Sequence, residues 1–457
     1  MSNTWKHRPP CLVYLAIFNP SLATTSRDRE SALAAEDQIC LFYSPTTASL
    51  DEKARQVGLA TALINFTRGG HKVIEYLEDG LQNSILRNVL IRSWEAFKLF
   101  HKGIEHIRKT QSIEAARRVL EEFYAGFLPR IDFGTLDLLD AFDGIQFASL
   151  PKTSYLQVSS LIQLLKSTFP VLQHPILLWH DHLVWNGLAD FETLKPLYTY
   201  MTDPETGRVY DGIVNQVKHK GEPVIATRRV SLKTARSSGR TLLKSARRGG
   251  KFSGYLVGPT NPGTVGAIEL KNVFLGTTDK VEHHLIVYQY EEECTLVVPV
   301  PVSSPNKADI TKGEFYARLA TFLDNHLKTL VNVLADGWAS ARNLGEFADQ
   351  HFRYFYYNSM NLAFKTSIGS YKSTVLTADL VQCLNSMHDT FVGETERGHN
   401  AVNEMCVKSA VTDSWVVGRR SGSRELYLVF PKSDMGLVDV DDEVKKFTMA
   451  YFSDILQ

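Results

Sequence analysis

His180, Asp181 and His182 place two imidazoles and a carboxylate side by side, donor types that a divalent metal accepts. They fall between the apolar runs ILLW and HLVW (Ile176 to Trp185), where His180-Asp181 reads as a two-residue hairpin turn. No third ligand is near in the sequence, so a structural turn is expected and no metal. His283-His284 opens another strand and reads as structural too. Asn65-Phe66-Thr67 has the form of a glycosylation sequon but sits inside a helix of a chain expected in the cytosol. The five cysteines, Cys11, Cys40, Cys294, Cys383 and Cys406, are scattered and never form CxxC, which fits reduced thiols used as small apolar side chains. GxxxxGK[ST], HExxH, GxSxG and GxGxxG are all absent, and no nucleophile stands beside a base. Neither bond-making chemistry nor a cofactor is expected.

Charge offers a sharper feature. Lys+Arg and Asp+Glu are both 50, so the whole chain has no electrostatic bias, and any such partner must be recruited locally. Lys218 to Lys251 holds eleven Lys/Arg against one acid, Glu222. Within it, Leu232, Ala235, Gly239, Leu242, Leu243 and Ala246 share about a third of a helical wheel. Lys233, Arg236, Arg240, Lys244, Arg247 and Arg248 occupy the adjoining face. Such a segment can lie in an anionic membrane interface, where each basic residue contributes about 1 kcal/mol. The other reading is a solvated, phosphorylatable linker. Nucleic acid is not expected, since no aromatic residue in the tract could stack on a base.

The elements that would position these residues follow from periodicity. Cys11 to Phe18 and Ile39 to Tyr43 read as strands, with CLVYLAIF too short for a secretory leader and lacking a cleavage site. No apolar run approaches the roughly 20 residues of a membrane span. A helix over 51–67 has two apolar stripes: Val57, Ala60 and Ile64 on one side, Leu59, Leu63 and Phe66 on the other. A helix apolar all round is buried all round, so the second stripe needs either another layer of this chain or a partner subunit. Two strands make too small a sheet to stand alone. Helices follow at 81–100 and 113–127. A second set of elements has a strand from Ile145, a helix through Tyr155 to Phe169, the tryptophan-flanked hairpin, and a segment at 191–201 that Pro196 should break or start. Strands at 274–275, 284–290 and 294–302 and a helix over 312–334 complete it. The third set has an aromatic strand ending at Asn358 and a helix at 378–391. A loop at 393–403 then leads to a hairpin with strands Trp415–Val417 and Leu426–Phe430 around the polar loop 418–424. A last helix has Asp441, Asp442 and Glu443 in its first turn. Leu426, Leu428 and Phe430 alternate with Tyr427 and Val429, so both faces of that hairpin should be covered. The expected class is α/β (α+β) with three domains, each an antiparallel-rich sheet sandwiched between helices. Their expected bounds are 11–135, 136–345 (with the basic linker at 218–251) and 346–457.

Several stretches carry a resemblance: KSAVTDSWVVGRRSGSRELYLVF (Lys408 to Phe430) with DDEVKKF (Asp441 to Phe447), LLDAFDGIQF (Leu138 to Phe147), HLIVYQ (His284 to Gln289), YFYYNSMNLAFK (Tyr354 to Lys365), FNP (Phe18 to Pro20), LFYSP (Leu41 to Pro45) and EKARQVGLATALINFTR (Glu52 to Arg68). Taken in their order along the chain, they resemble the CCZ subunit of the MON–CCZ complex, a tri-longin guanine nucleotide exchange factor. The resemblance implies three longin domains and pairing of the first with the first longin domain of a MON subunit. It also implies action on a late-endosomal or vacuolar Rab GTPase in endosome maturation, vacuole fusion and autophagy. It further implies a cytoplasmic protein recruited to phosphoinositide-bearing membranes, with Leu59, Leu63 and Phe66 facing MON or the GTPase. One departure stands out. Family members carry further strands between the first long helix and VIEY (Val73 to Tyr76), where this chain has only Gly69 to Lys72. The rival expectation is therefore a longin-type scaffold without exchange activity.

Overall fold

The computed structural model describes residues 14–19, 39–66, 83–130, 142, 144–148, 150–202, 253–259, 268, 270–305, 309–351, 353–366, 378–397, 402–409, 411–430 and 436–451. They form two compact units, one of residues up to 130 and one of residues from 142 onward.

In the first unit, β1 (Leu15–Phe18) pairs antiparallel with β2 (Cys40–Ser44), and among the described residues these two strands are the whole sheet. Helix α1 (Leu50–Phe66) follows, then α2 (Asn83–His101), the short α3 (Ile104–Thr110) and α4 (Ile113–Phe127). Ser112 caps α4, its hydroxyl accepting from the amide of Ala115 at 3.1 Å. Ala116, Leu120, Phe123 and Phe127 recur at helical spacing and are buried against Phe42 of β2 and Phe97 of α2. The Phe97 and Phe123 rings meet edge-on at 5.5 Å.

The second unit begins with β3 (Ile145–Gln146) and α5 (Lys152–Thr168). The hairpin β4 (Ile176–Trp179) and β5 (His182–Trp185), then α6 (Phe191–Thr202), follow. Next come β6 (Gly254–Val257), β7 (Lys271–Leu275), β8 (Val281–Tyr290) and β9 (Cys294–Pro301). These strands build an antiparallel sheet in the order β5-β4-β9-β8-β6, with β7 also on β8. Pro299 is tolerated because β4 pairs with β9 only as far as Val297, so no second neighbour needs its amide. Helix α7 (Gly313–His351) lays Tyr316, Leu319, Leu323, Leu327 and Leu330 against Ile286, Tyr288, Leu296 and Val298, and α5 adds Val158, Ile162 and Leu165.

Strands β10 (Arg353–Asn358) and β11 (Ala363–Thr366), helix α8 (Ala378–Arg397), strands β12 (Glu404–Lys408), β13 (Trp415–Ser421) and β14 (Arg424–Phe430), and helix α9 (Leu437–Tyr451) complete the chain. The sheet order is β12-β13-β14-β10-β11-β3. Leu426, Leu428 and Phe430 pack on Val440, Val444 and Phe447 of α9, while α8 covers the opposite face. That helix lies so close at Gly418 that a Cβ there would come within 3.1 Å of the Met387 sulfur and 3.2 Å of the Phe391 ring. The sandwiched hairpin is thus as expected.

Several element bounds are not. The 418–424 stretch is no open loop: β13 and β14 run on to Ser421 and Arg424, and Gly422 turns between them at φ 61°. β12 occupies residues expected to carry no strand. Ile145 pairs in parallel with β11, so its strand closes the third sheet rather than opening the second. Pro196 lies inside α6 without breaking it. Asp190 anchors the helix start, accepting from the Thr193 amide and hydroxyl, and a proline this early removes one helical bond.

Candidate functional site

The candidate partner surface is the outer side of α1. Ser49 accepts from the Glu52 amide at 3.2 Å, and Asp51 and Glu52 sit in the first turn, where the helix dipole favours acids. The Lys53 ammonium stands 5.8 Å from the Tyr43 ring of β2, and Tyr43 stacks on Tyr14 at 5.9 Å. Burial, with the Glu52 carboxylate next, pushes the Tyr43 hydroxyl above its usual range. Residues two apart on a helix point about 200° apart. Val57 is accordingly 1% exposed and Leu59 58% exposed. The second apolar stripe does present a leucine outward at Leu59. The side chains of Leu63 and Phe66 lie outside the described residues. So do Lys233, Arg236, Arg240, Lys244, Arg247 and Arg248, the whole of the basic membrane candidate.

The other groups able to do chemistry are engaged structurally. His180 takes a positive φ in the β4–β5 turn, and Asp181 pairs with His182 at 2.6 Å. The Asp181 carbonyl accepts from the Tyr198 hydroxyl at 2.7 Å. His283 bonds the Val281 carbonyl, and burial lowers its pKa. No three His, Cys, Asp or Glu side chains among the described residues are placed to hold a metal. Cys294 is fully buried, its thiol pushed up to about 12 by desolvation, and Cys40 and Cys383 are part-covered; Cys406 alone of the four described thiols is exposed.

One charged cluster was not anticipated. Glu425 of β14 is 3% exposed, with one carboxylate oxygen 2.7 Å from His388 Nδ1 of α8 and 2.6 Å from the Tyr427 hydroxyl, which donates to it. The Phe142 ring closes over His388 at 4.4 Å. Burial pushes the Tyr427 hydroxyl well up, and the adjacent carboxylate adds to it. In the sequence Glu425 looks like the last polar residue before an apolar strand; only the pairing partner 37 residues earlier explains it. Buried and paired on both sides, the cluster reads as a core lock.

The domain family described as Intu longin-like domain 3 matches residues 348–447, the stretch that builds the third sheet, apart from β3, and most of its two covering helices. The vacuolar fusion protein CCZ1 homolog of Nematostella vectensis is 26% identical, and the alignment covers 98% of each chain. That of Xenopus laevis is also 26% identical with the same coverage, and that of Dictyostelium discoideum is 23% identical over 91% of this chain and 93% of its own. The Nematostella alignment spans 492 positions against the 457 residues here, so that relative carries segments this chain lacks. The resemblance to the vacuolar fusion protein CCZ family thus holds from one end of the chain to the other, on a mixed α/β fold that carries a longin-like domain.

Proposed function

We propose that this chain acts in vacuole fusion as one subunit of a two-chain guanine nucleotide exchange factor, pairing through its first longin domain with a MON-type subunit and activating a late-endosomal Rab GTPase. The full-length likeness to vacuolar fusion proteins carries this reading. The outward Leu59, on a helix whose inner face is already filled by Val57, supports a partner at that place. Exchange forms no covalent bond: the factor stabilises the nucleotide-free GTPase, and nucleotide and factor weaken each other's binding. This reading therefore needs no catalytic side chain and no metal beyond the GTPase's own Mg²⁺. The basic segment would hold the complex on phosphoinositide-bearing late-endosomal or vacuolar membranes.

Co-expression with a MON-type subunit tests the proposal. The complex is expected to accelerate release of fluorescent GDP from the Rab; release no faster than from the Rab alone overturns it. Membrane recruitment has a separate readout. Flotation with phosphoinositide liposomes is expected to fall when Arg247 and Arg248 become Glu, and unchanged flotation makes the segment a linker. A second reading, a longin-type scaffold without exchange activity, is favoured by the two-stranded sheet of the first unit among the described residues. A complex that assembles but leaves GDP release unchanged would establish it.

A further inference from the structure

The third sheet ends in a strand whose outer edge nothing among the described residues pairs. β12 is bonded on one side only, to β13, in an unbroken antiparallel register from Glu404↔Arg419 to Lys408↔Trp415. The phase of that ladder follows from two bonds at its ends: the Arg420 amide donates to the Asn403 carbonyl, and the Ser409 amide to the Ser414 carbonyl, each at 2.8 Å. In an antiparallel pair such bonds recur at alternate residues. Asn403, Met405, Val407 and Ser409 thus spend their backbone groups inward, while Glu404, Cys406 and Lys408 turn their N–H and C=O groups outward.

Natural edges are usually guarded by a bulge, a proline or an unpaired charge. β12 has no bulge and no proline. Its two charges are folded back onto the sheet: Glu404 pairs with Arg419 at 2.8 Å, and Lys408 pairs with Asp413 at 2.8 Å beside the Trp415 ring. Cys406 is exposed and Val407 is 38% exposed. Among the described residues the edge is therefore unbulged and unpaired, and its two charges balance.

Its sequence selects the occupant. Laid antiparallel on a second β12 about a two-fold axis through Cys406, Glu404 of each copy falls opposite Lys408 of the other. Cys406 falls opposite itself. All three facing pairs are then of the outward-bonding kind, each exchanging two backbone hydrogen bonds. We propose that β12 is a self-association edge, through which two copies of this chain join their third sheets into one continuous sheet. The surface belongs to the third sheet and uses none of the residues proposed for a MON-type subunit.

The native thiol supplies the test. Directly paired residues that exchange backbone hydrogen bonds have Cα atoms about 5.5 Å apart, within the roughly 4.4–6.8 Å that a disulfide spans. Sedimentation of the full-length chain over a concentration series is expected to show a monomer–dimer equilibrium. Brief copper-phenanthroline oxidation is expected to yield a dimer whose linked peptide, by mass spectrometry, joins Cys406 to Cys406. Lys408→Glu sets like charges opposite each other at both ends and is expected to weaken dimerisation about tenfold, from two cross-strand pairs of modest energy. A chain that stays monomeric, a dimer linked through another cysteine, or a Lys408→Glu chain that dimerises as tightly as the wild type overturns the proposal. The wild-type cross-link is read without any variant, so a poorly folding substitution does not decide the outcome.

Discussion

Glu425 enters the third sheet as a charge and is buried there with His388 and Tyr427 both reaching the same carboxylate oxygen. Removing one partner of a buried hydrogen-bonded charge strands the others. Glu425→Ala is therefore expected to destabilise the chain by about 3 kcal/mol, and Glu425→Gln, which keeps an acceptor, by about 1 kcal/mol, read from urea midpoints. His101 makes a second residue-scale prediction. It lies against Phe97 at 4.9 Å, and burial lowers its pKa from 6.5 to about 4. The unfolded chain takes up this proton near pH 6.5 and the folded one only near 4. The neutral imidazole's contribution is thus complete above pH 6.5 and is lost as pH falls toward 4. Between pH 7 and 5 this should remove about 2 kcal/mol from the first unit. His101→Gln is expected to flatten that slope in urea titrations at the two pH values.

At the scale of elements, α1 and the β13–β14 hairpin show opposite uses of a second apolar stripe. In the hairpin both stripes are consumed inside the chain, by α9 on one side and α8 on the other. Gly418→Val should drive a methyl into Met387 and Phe391 and cost about 2 kcal/mol of stability. In α1 the second stripe reaches the surface at Leu59. Leu59→Asp is expected to leave the urea midpoint unchanged while weakening the complex with a MON-type subunit or the GTPase about tenfold, measured by titration calorimetry. The difference between these elements was legible only in part. Alternation announced the hairpin, because each strand meets a helix on both sides. β12 passed unnoticed, because an edge strand with mostly exposed side chains leaves no burial pattern to read. Glu425 and the parallel place of Ile145 were hidden for another reason: both depend on residues far along the chain, and local periodicity carries no such information.

Across the second unit, one short segment ties the second and third sheets together. The Ile145 amide donates to the Leu362 carbonyl of the third sheet, and the Ala148 amide to the Leu183 carbonyl of the second. Between them the Gln146 amide donates to the Tyr198 hydroxyl at 3.1 Å. Tyr198→Phe leaves that amide unpaired and is expected to cost about 1.5 kcal/mol. The two sheets should unfold in a single transition by calorimetry, in the wild type and in this variant. The long helix α7 adds a constraint of another kind. Its first half is embedded against the second sheet, and its end is separated from β10 of the third by one residue. Each helical residue turns the chain by about 100° and advances it about 1.5 Å. Inserting or deleting one residue between 338 and 351 would therefore act like a slipped gear tooth, rotating the whole third sheet away from Leu183 of the second. That stretch of the chain should tolerate changes of letter far better than changes of length.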